Sequence, residues 1–338
     1  MTNERMKMVS SAAALTMALA MAAAGCGQET DDATTGEAIA STAPRGDRNT
    51  PRPAGVPDDY VVTPHGWRHR SCVIEVGGDE TVGPHHVQGG DGHRRAFAPC
   101  QHPAFDRSGA PLGPPTHDPQ VNGWVASFNS TSQGAITSLG ADWIVPPTPS
   151  SAQNQTLFFF PGVEPAATGD VILQPVLAWN GFGDHAWTIA SWACCKDGNV
   201  FNSAPVSVAS GHKLTGTLAG ASCSGGVCAN WTITTKDDNT AQSTAFATTG
   251  DGEQMSWVFG GAMEIYGVDT CTEYPGSTSM TVSNIQVRNS AGSLVLPAWS
   301  FWSAAGSVTP NCNPQFGSLQ VTGPNGTVSS AKLTWQFL

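Results

Sequence analysis

The chain has 338 residues, 40% of them hydrophobic, and a formal net charge of −11. That apolar share is enough to build a core, while the acidic balance argues against nucleic acid or another anionic surface as a partner. Nine cysteines and eleven tryptophans suit a disulfide-bearing protein with an aromatic interior.

Residues 1–26 read as a lipoprotein signal peptide. Arg5 and Lys7 precede an apolar run from Ala12 to Ala24, and Ala23 to Cys26 spells AAGC, a lipobox-like cleavage site. The expectation is a secreted protein lipidated at Cys26 on a bacterial outer membrane or cell surface; a plain signal peptide with an incidental Cys26 is the alternative. No other stretch reaches the roughly 18 apolar residues needed to span a bilayer. Residues 27–58 are rich in Thr, Ala, Pro and charge, and too poor in large apolar side chains to offset their ordering entropy, so they are read as a disordered tether.

Residues 59–118 differ in composition from the C-terminal two thirds of the chain. Seven of the nine histidines and five arginines fall between Tyr60 and Asp118, among many Gly and Pro. Thr63 to Val76 could form a strand, but the rest is punctuated too often for a core of its own. No histidine or cysteine spacing here matches a closed zinc site, so no metal is expected. A small disulfide-clipped segment packed on the main sheet is the plain reading.

Residues 119–338 alternate strands of five to eight residues with turn clusters. VILQPVLAW, WTIASWA, LTGTLAG, ANWTITTKD, EQMSWVFGGAMEIYGV, SMTVSNIQVRN and AKLTWQFL are rich in Val, Ile, Thr, Trp and Phe and bounded by Gly, Asn, Asp, Ser and Pro. The class is all-β, and the length suits one two-sheet antiparallel β-sandwich. With Cys26 lipidated, eight cysteines remain, and they allow 105 connectivities. Chain proximity favours Cys72 with Cys100, and Cys223 with Cys228 across a Gly225–Gly226 turn. Adjacent Cys194 and Cys195 on a strand would point to opposite faces and bridge different partners, with Cys271 and Cys312 the remaining candidates.

The most informative stretch is Phe158 to Gly181, FFFPGVEPAATGDVILQPVLAWNG. Gln174 lies alone in an apolar run, and a buried amide left unsatisfied costs roughly 1–3 kcal/mol. Phe160, Gly162, Val163 and Glu164, followed by Ile172, Leu173 and Gln174, resemble the glutamic peptidase (eqolisin) family. Its members carry a Trp-x-Gly-hydrophobic-Asp turn and then an Ile-Leu-Gln strand with the catalytic glutamine. Asn122 to Phe128 and Ala141 to Ser150 resemble that family's first strands, His185 to Trp192 its Trp-Tyr-Glu-Trp strand, and Gly260 to Gly267 its Ala-Glu-Trp-Ile strand with the catalytic glutamate. Phe160 and Glu164 stand where the family has tryptophan and aspartate, Pro175 follows the glutamine, and Ile265 replaces the tryptophan after the glutamate.

The resemblance implies a concanavalin A-like jelly roll and a peptidase acting on polypeptide at acidic pH, without cofactor. Gln174 would position a water and stabilise the oxyanion, and Glu264 would be the general base and acid. It also offers a second reading of residues 59–118, a pro-region covering the active site. Glu164 is a supporting carboxylate, Phe160, Trp187 and Trp192 are candidates to line the cleft, and Glu273 is the nearest rival to Glu264. The chemistry suits the pair. An amide offers an acceptor and two donors without charge, and a carboxyl can take the water's proton and return it to the leaving amine. The alternative is a non-catalytic sandwich that binds carbohydrate or a surface through an aromatic face. Glycoside hydrolysis is weaker, because it needs two carboxyls about 5–9.5 Å apart and Glu264 alone is well placed.

Overall fold

The structure, a computed structural model, describes residues 49–113, 123–169, 171–249 and 251–337. The signal peptide, Cys26 and most of the tether lie outside the described residues, as do residues 114–122. Apart from short 3-10 turns, the described secondary structure is all strand. The N-terminal segment holds β1 (Tyr60–Thr63), β2 (Gly66–His69), β3 (Val73–Val76), β4 (Thr81–Val82), β5 (His86–Gln88) and β6 (Arg94–Ala96). Then come β7 (Trp124–Ser130), β8 (Ile136–Ile144), β9 (Thr156–Pro165), β10 (Ile172–Trp179), β11 (Trp187–Cys194), β12 (Val200–Ser203), β13 (Val206–Ser207) and β14 (Lys213–Ser224). The chain finishes with β15 (Val227–Asp237), β16 (Ser243–Thr249), β17 (Met255–Tyr266), β18 (Ser279–Asn289), β19 (Leu294–Val295), β20 (Ser300–Ser303), β21 (Gln315–Thr322) and β22 (Val328–Thr334).

Two large sheets form the β-sandwich read from the sequence. The first runs β20-β7-β17-β9-β10-β11-β12-β3, with β13 also on β11; the second runs β21-β22-β18-β8-β14-β15-β16-β4-β5-β6, with β19 also on β18. Pairing is antiparallel except where the N-terminal segment joins. There β3 adds parallel to β12, and β4 adds parallel to β16. These strands reach the sheets from a distant part of the chain, so no hairpin dictates their direction. Residues 49–113 therefore extend an edge of both sheets, and β1 and β2 form a separate hairpin.

The first sheet is apolar on both faces. One face meets the second sheet, where Leu157, Phe159, Leu173, Leu177, Trp187 and Met263 pack with Trp143, Trp231 and Phe246. The other carries Trp124, Phe158, Phe160, Trp192, Phe259 and Tyr266, and is covered by Val61, Val62, Trp67 and Phe105 of the N-terminal segment. Double-sided burial explains why β9, β10 and β11 read as near-continuous apolar runs rather than as alternation. Each fully buried Leu or Phe here contributes about 1.5–3 kcal/mol.

Disulfides join Cys72 to Cys100, Cys223 to Cys228 and Cys271 to Cys312. The fourth joins Cys194 to Cys195, where the alternation argument expected two different partners. Cys194 is the last residue of β11 and Cys195 lies beyond it, so strand alternation does not extend to the second cysteine.

Candidate active site

Gln174 projects from β10 onto the face away from the second sheet. It pairs across β11 with Trp192, and on its other side it lies beside Gly162 of β9. A side chain at Gly162 would begin 3.4 Å from Gln174 Cγ and 3.1 Å from the Leu173 carbonyl oxygen, so the glycine gives the amide its room. Gln174 is fully buried, and neither its oxygen nor its nitrogen has a hydrogen-bond partner in the protein.

Glu264 reaches the same face from β17, opposite Phe158 of β9 and Trp124 of β7. It is also fully buried. Tyr266 Oη donates to its Oε2 at 3.2 Å, while Oε1 has no partner. Burial pushes the Glu264 carboxyl well above its ordinary range; the Tyr266 hydroxyl and the nearby Trp124 indole favour the ionised form, but by less. Burial and the neighbouring Glu264 likewise raise the Tyr266 hydroxyl, which stays a donor.

The shared face depends on a β-bulge that the strand pattern alone does not show. Trp257 and Phe259 oppose Glu164 and Gly162 of β9, whereas beyond the bulge Ala262 and Glu264 oppose Phe160 and Phe158. The outward positions thus change from odd to even numbers at Gly260–Gly261. Uninterrupted alternation from Phe259 would turn Glu264 into the inter-sheet core. A side chain at Gly260 would collide with the Phe128 ring, so the first glycine is required there. The signal was present as a Gly-Gly pair inside a strand.

Gln174 and Glu264 lie in one sheet and on one face, with β9 between their strands: Gln174 stands beside Gly162 and Glu264 opposite Phe158, four residues apart along β9. The residues between them are Phe160 and Phe158 on β9 and Val176 on β10, with Phe160 edge-on to Trp124. Trp192 lies on the same face and touches Phe158 and Phe182. Glu164 is on it too, opposite Trp257 at the end of β9. Trp187 is a correction: its odd spacing from Trp192 turns it to the other face, where it packs on Phe159 and Trp179 in the inter-sheet core. The rival Glu273 is committed elsewhere, accepting from the backbone N–H groups of Asp269 and Thr270 around a 3-10 turn.

No family model matches the sequence, and no curated protein does. Solved structures match part of the chain at low identity. Scytalido-glutamic peptidase with a peptide-based transition state analog is 12% identical, with a TM-score of 0.44, and the match covers 63% of this chain and 98% of that one. SCP-B, a member of the eqolisin family in complex with the tripeptide Ala-Ile-His, is 12% identical over the same shares, with a TM-score of 0.42. Aspergilloglutamic peptidase from Aspergillus niger is 14% identical, with a TM-score of 0.32, over 53% of this chain and 98% of that one.

Proposed function

We propose that this chain is a peptide hydrolase of the glutamic type, in which Gln174 and Glu264 activate a water against a polypeptide. The observation that carries the reading is the uncommitted state of both groups. Three polar atoms, two on Gln174 and one on Glu264, are buried on one face without partners in the protein. Buried polar groups are ordinarily satisfied, and those that are not call for an explanation such as a catalytic role. Burial keeps the Glu264 carboxyl protonated while the face is covered, and once solvated a carboxyl near 4.5 can serve as both base and acid under acidic conditions.

In this mechanism the Gln174 carbonyl orients the water and its N–H faces the developing oxyanion. Glu264 ionises once the face is open to solvent, takes the water's proton and returns it to the leaving amine, while Tyr266 orients its carboxyl. The experiment is hydrolysis of a denatured protein between pH 3 and 5. Glu264→Gln should lower the rate by about 10²–10⁴-fold and Gln174→Met by about 10²–10³-fold, with the fold retained. Near wild-type turnover in both variants would move the activity elsewhere. A wild type that cleaves nothing from pH 2 to 8 but binds a glycan would replace this reading with a carbohydrate-binding module.

A further inference from the structure

The face that carries Gln174 and Glu264 is occupied by the chain's own β1–β2 hairpin. Val62, Thr63, His65 and Trp67 are all buried against it. Gly66 N donates to Tyr266 Oη at 3.0 Å, and the same hydroxyl donates to Glu264. The Trp67 indole meets Tyr266 edge-on, His65 meets Trp192, and Arg68 Nη2 lies 3.1 Å from Cys195 Sγ. We propose that the Thr63–Gly66 turn is a retained internal plug of the substrate face, latched through Tyr266, which must swing away before a polypeptide can bind. This proposal rests on the peptidase reading of that face and names its regulation.

Three observations support a contact built to open. First, the hairpin is paired into neither large sheet, and a two-stranded hairpin has little stability of its own. Secondly, the contact is poorly matched in polarity. His65 Nε2 and both Gln174 amide atoms are buried without partners, whereas buried polar side-chain atoms are ordinarily hydrogen-bonded. Thirdly, the hairpin's base is anchored: β3 is hydrogen-bonded to β12, and Cys72 just before it is joined to Cys100. The turn can leave while the rest of the segment stays in the sheets, so removal of the segment is not required.

Two titrating groups make the plug sensitive to pH, with opposite signs. His65 is held neutral by burial and by Arg68 beside it on β2, well below its ordinary 6.5. Undocking lets it take a proton, so below pH 6.5 acid favours the open form by up to tenfold per pH unit. Glu264 on β17 works in reverse: docking keeps it protonated, so acid favours the closed form until the solvated carboxyl itself protonates near 4.5. Between about 4.5 and 6.5 the two effects oppose each other. Below 4.5 only His65 continues to act, and the plug opens. Arg68 stays cationic and Tyr266 neutral throughout this range, and Cys194 and Cys195 are joined.

The test is amide hydrogen exchange on the full chain, corrected for intrinsic rates, at pH 3.5 to 7, for the wild type and His65→Leu. In the wild type, residues 60–69 should lose protection by about tenfold per unit below pH 4.5 while β9 and β17 keep theirs. In His65→Leu that loss should disappear. Residues 60–69 exchanging in step with β9 and β17 at every pH would overturn the plug, as would an unchanged acid slope in His65→Leu. Wild-type exchange alone decides the first point if the variant fails to fold. Hydrolysis is read in parallel: below pH 4.5 the wild type's gain in open form offsets its loss of ionised Glu264, so its activity should level off, whereas that of His65→Leu should fall about tenfold per unit. Exchange as expected with no hydrolysis by the wild type would sustain the plug and sink the peptidase reading instead.

Discussion

Replacing Glu264 by Gln keeps the side chain's shape and its contact with the Tyr266 hydroxyl but removes its titration. In the folded protein this carboxyl binds its proton more tightly than an ordinary carboxyl at 4.5, because it is fully buried. Unfolding therefore releases a proton at any pH between 4.5 and the raised native value. Wild-type stability falls with rising pH in that window by about 1.4 kcal/mol per unit, and the Gln variant escapes that loss. The two proteins should be equally stable near pH 4. By pH 6.5 the variant should lead by up to about 2.7 kcal/mol, and the pH where the gap stops widening is the native pKa of Glu264. Urea unfolding of both proteins in half-unit steps from pH 4 to 8 measures it. A gap independent of pH, or a variant less stable than wild type at pH 6.5, would show that Glu264 is ionised and paired in the folded state and would refute the argument from burial.

Gln174→Met removes two unpartnered polar atoms while keeping the volume, and should raise stability by about 1–3 kcal/mol as it removes hydrolysis; a lower urea midpoint would show that the amide is bonded after all. Gly260→Ala places a methyl group against Phe128 at the bulge and should cost about 1–3 kcal/mol, read as a lowered urea midpoint; an unchanged midpoint would argue that the bulge can shift. Burial alone would raise the Asp237 carboxyl, but hydrogen bonds from His212, Thr240 and the Asn239 N–H hold it below its usual 3.8. Its contribution is thus present above 3.8 and lost as pH falls through the lowered value, and Asp237→Asn should cost about 1.5–3 kcal/mol at pH 7 in thermal unfolding.

The strands were legible because β-branched and aromatic runs between turn clusters specify extended chain locally. Gln174 was legible as well, since one amide in VILQPVLAW stands out against its neighbours. What could not be read were features set by distant contacts. Nothing in His65, Gly66 or Trp67 says that they will lie on Tyr266, about 200 residues away in the chain. The parallel joints of β3 and β4 were hidden for the same reason. Trp187 and Trp192 have identical propensities, and only the inward face of β11 tells the core residue from the one beside Gln174. The Gly260–Gly261 bulge is an intermediate case. Its signal is local, but its consequence, the face on which Glu264 emerges, depends on where Trp257 already points.

The bulge and the covering hairpin bear on one another. Were β17 regular, Glu264 would lie between the sheets, where solvent could reach it only by separating the sandwich. Placed by the bulge on the outer face, it is buried by a hairpin that neither sheet holds through strand pairing, so the group can become accessible at the cost of a local opening rather than global unfolding. The same cover gives the carboxyl its raised proton affinity, which makes proton binding at Glu264 and occupancy of the face linked events. A polypeptide that displaced Thr63–Gly66 would meet the Tyr266 hydroxyl where the Gly66 N–H now is. A peptide N–H from the incoming chain could replace it there, leaving the tyrosine's own bond to Glu264 in place.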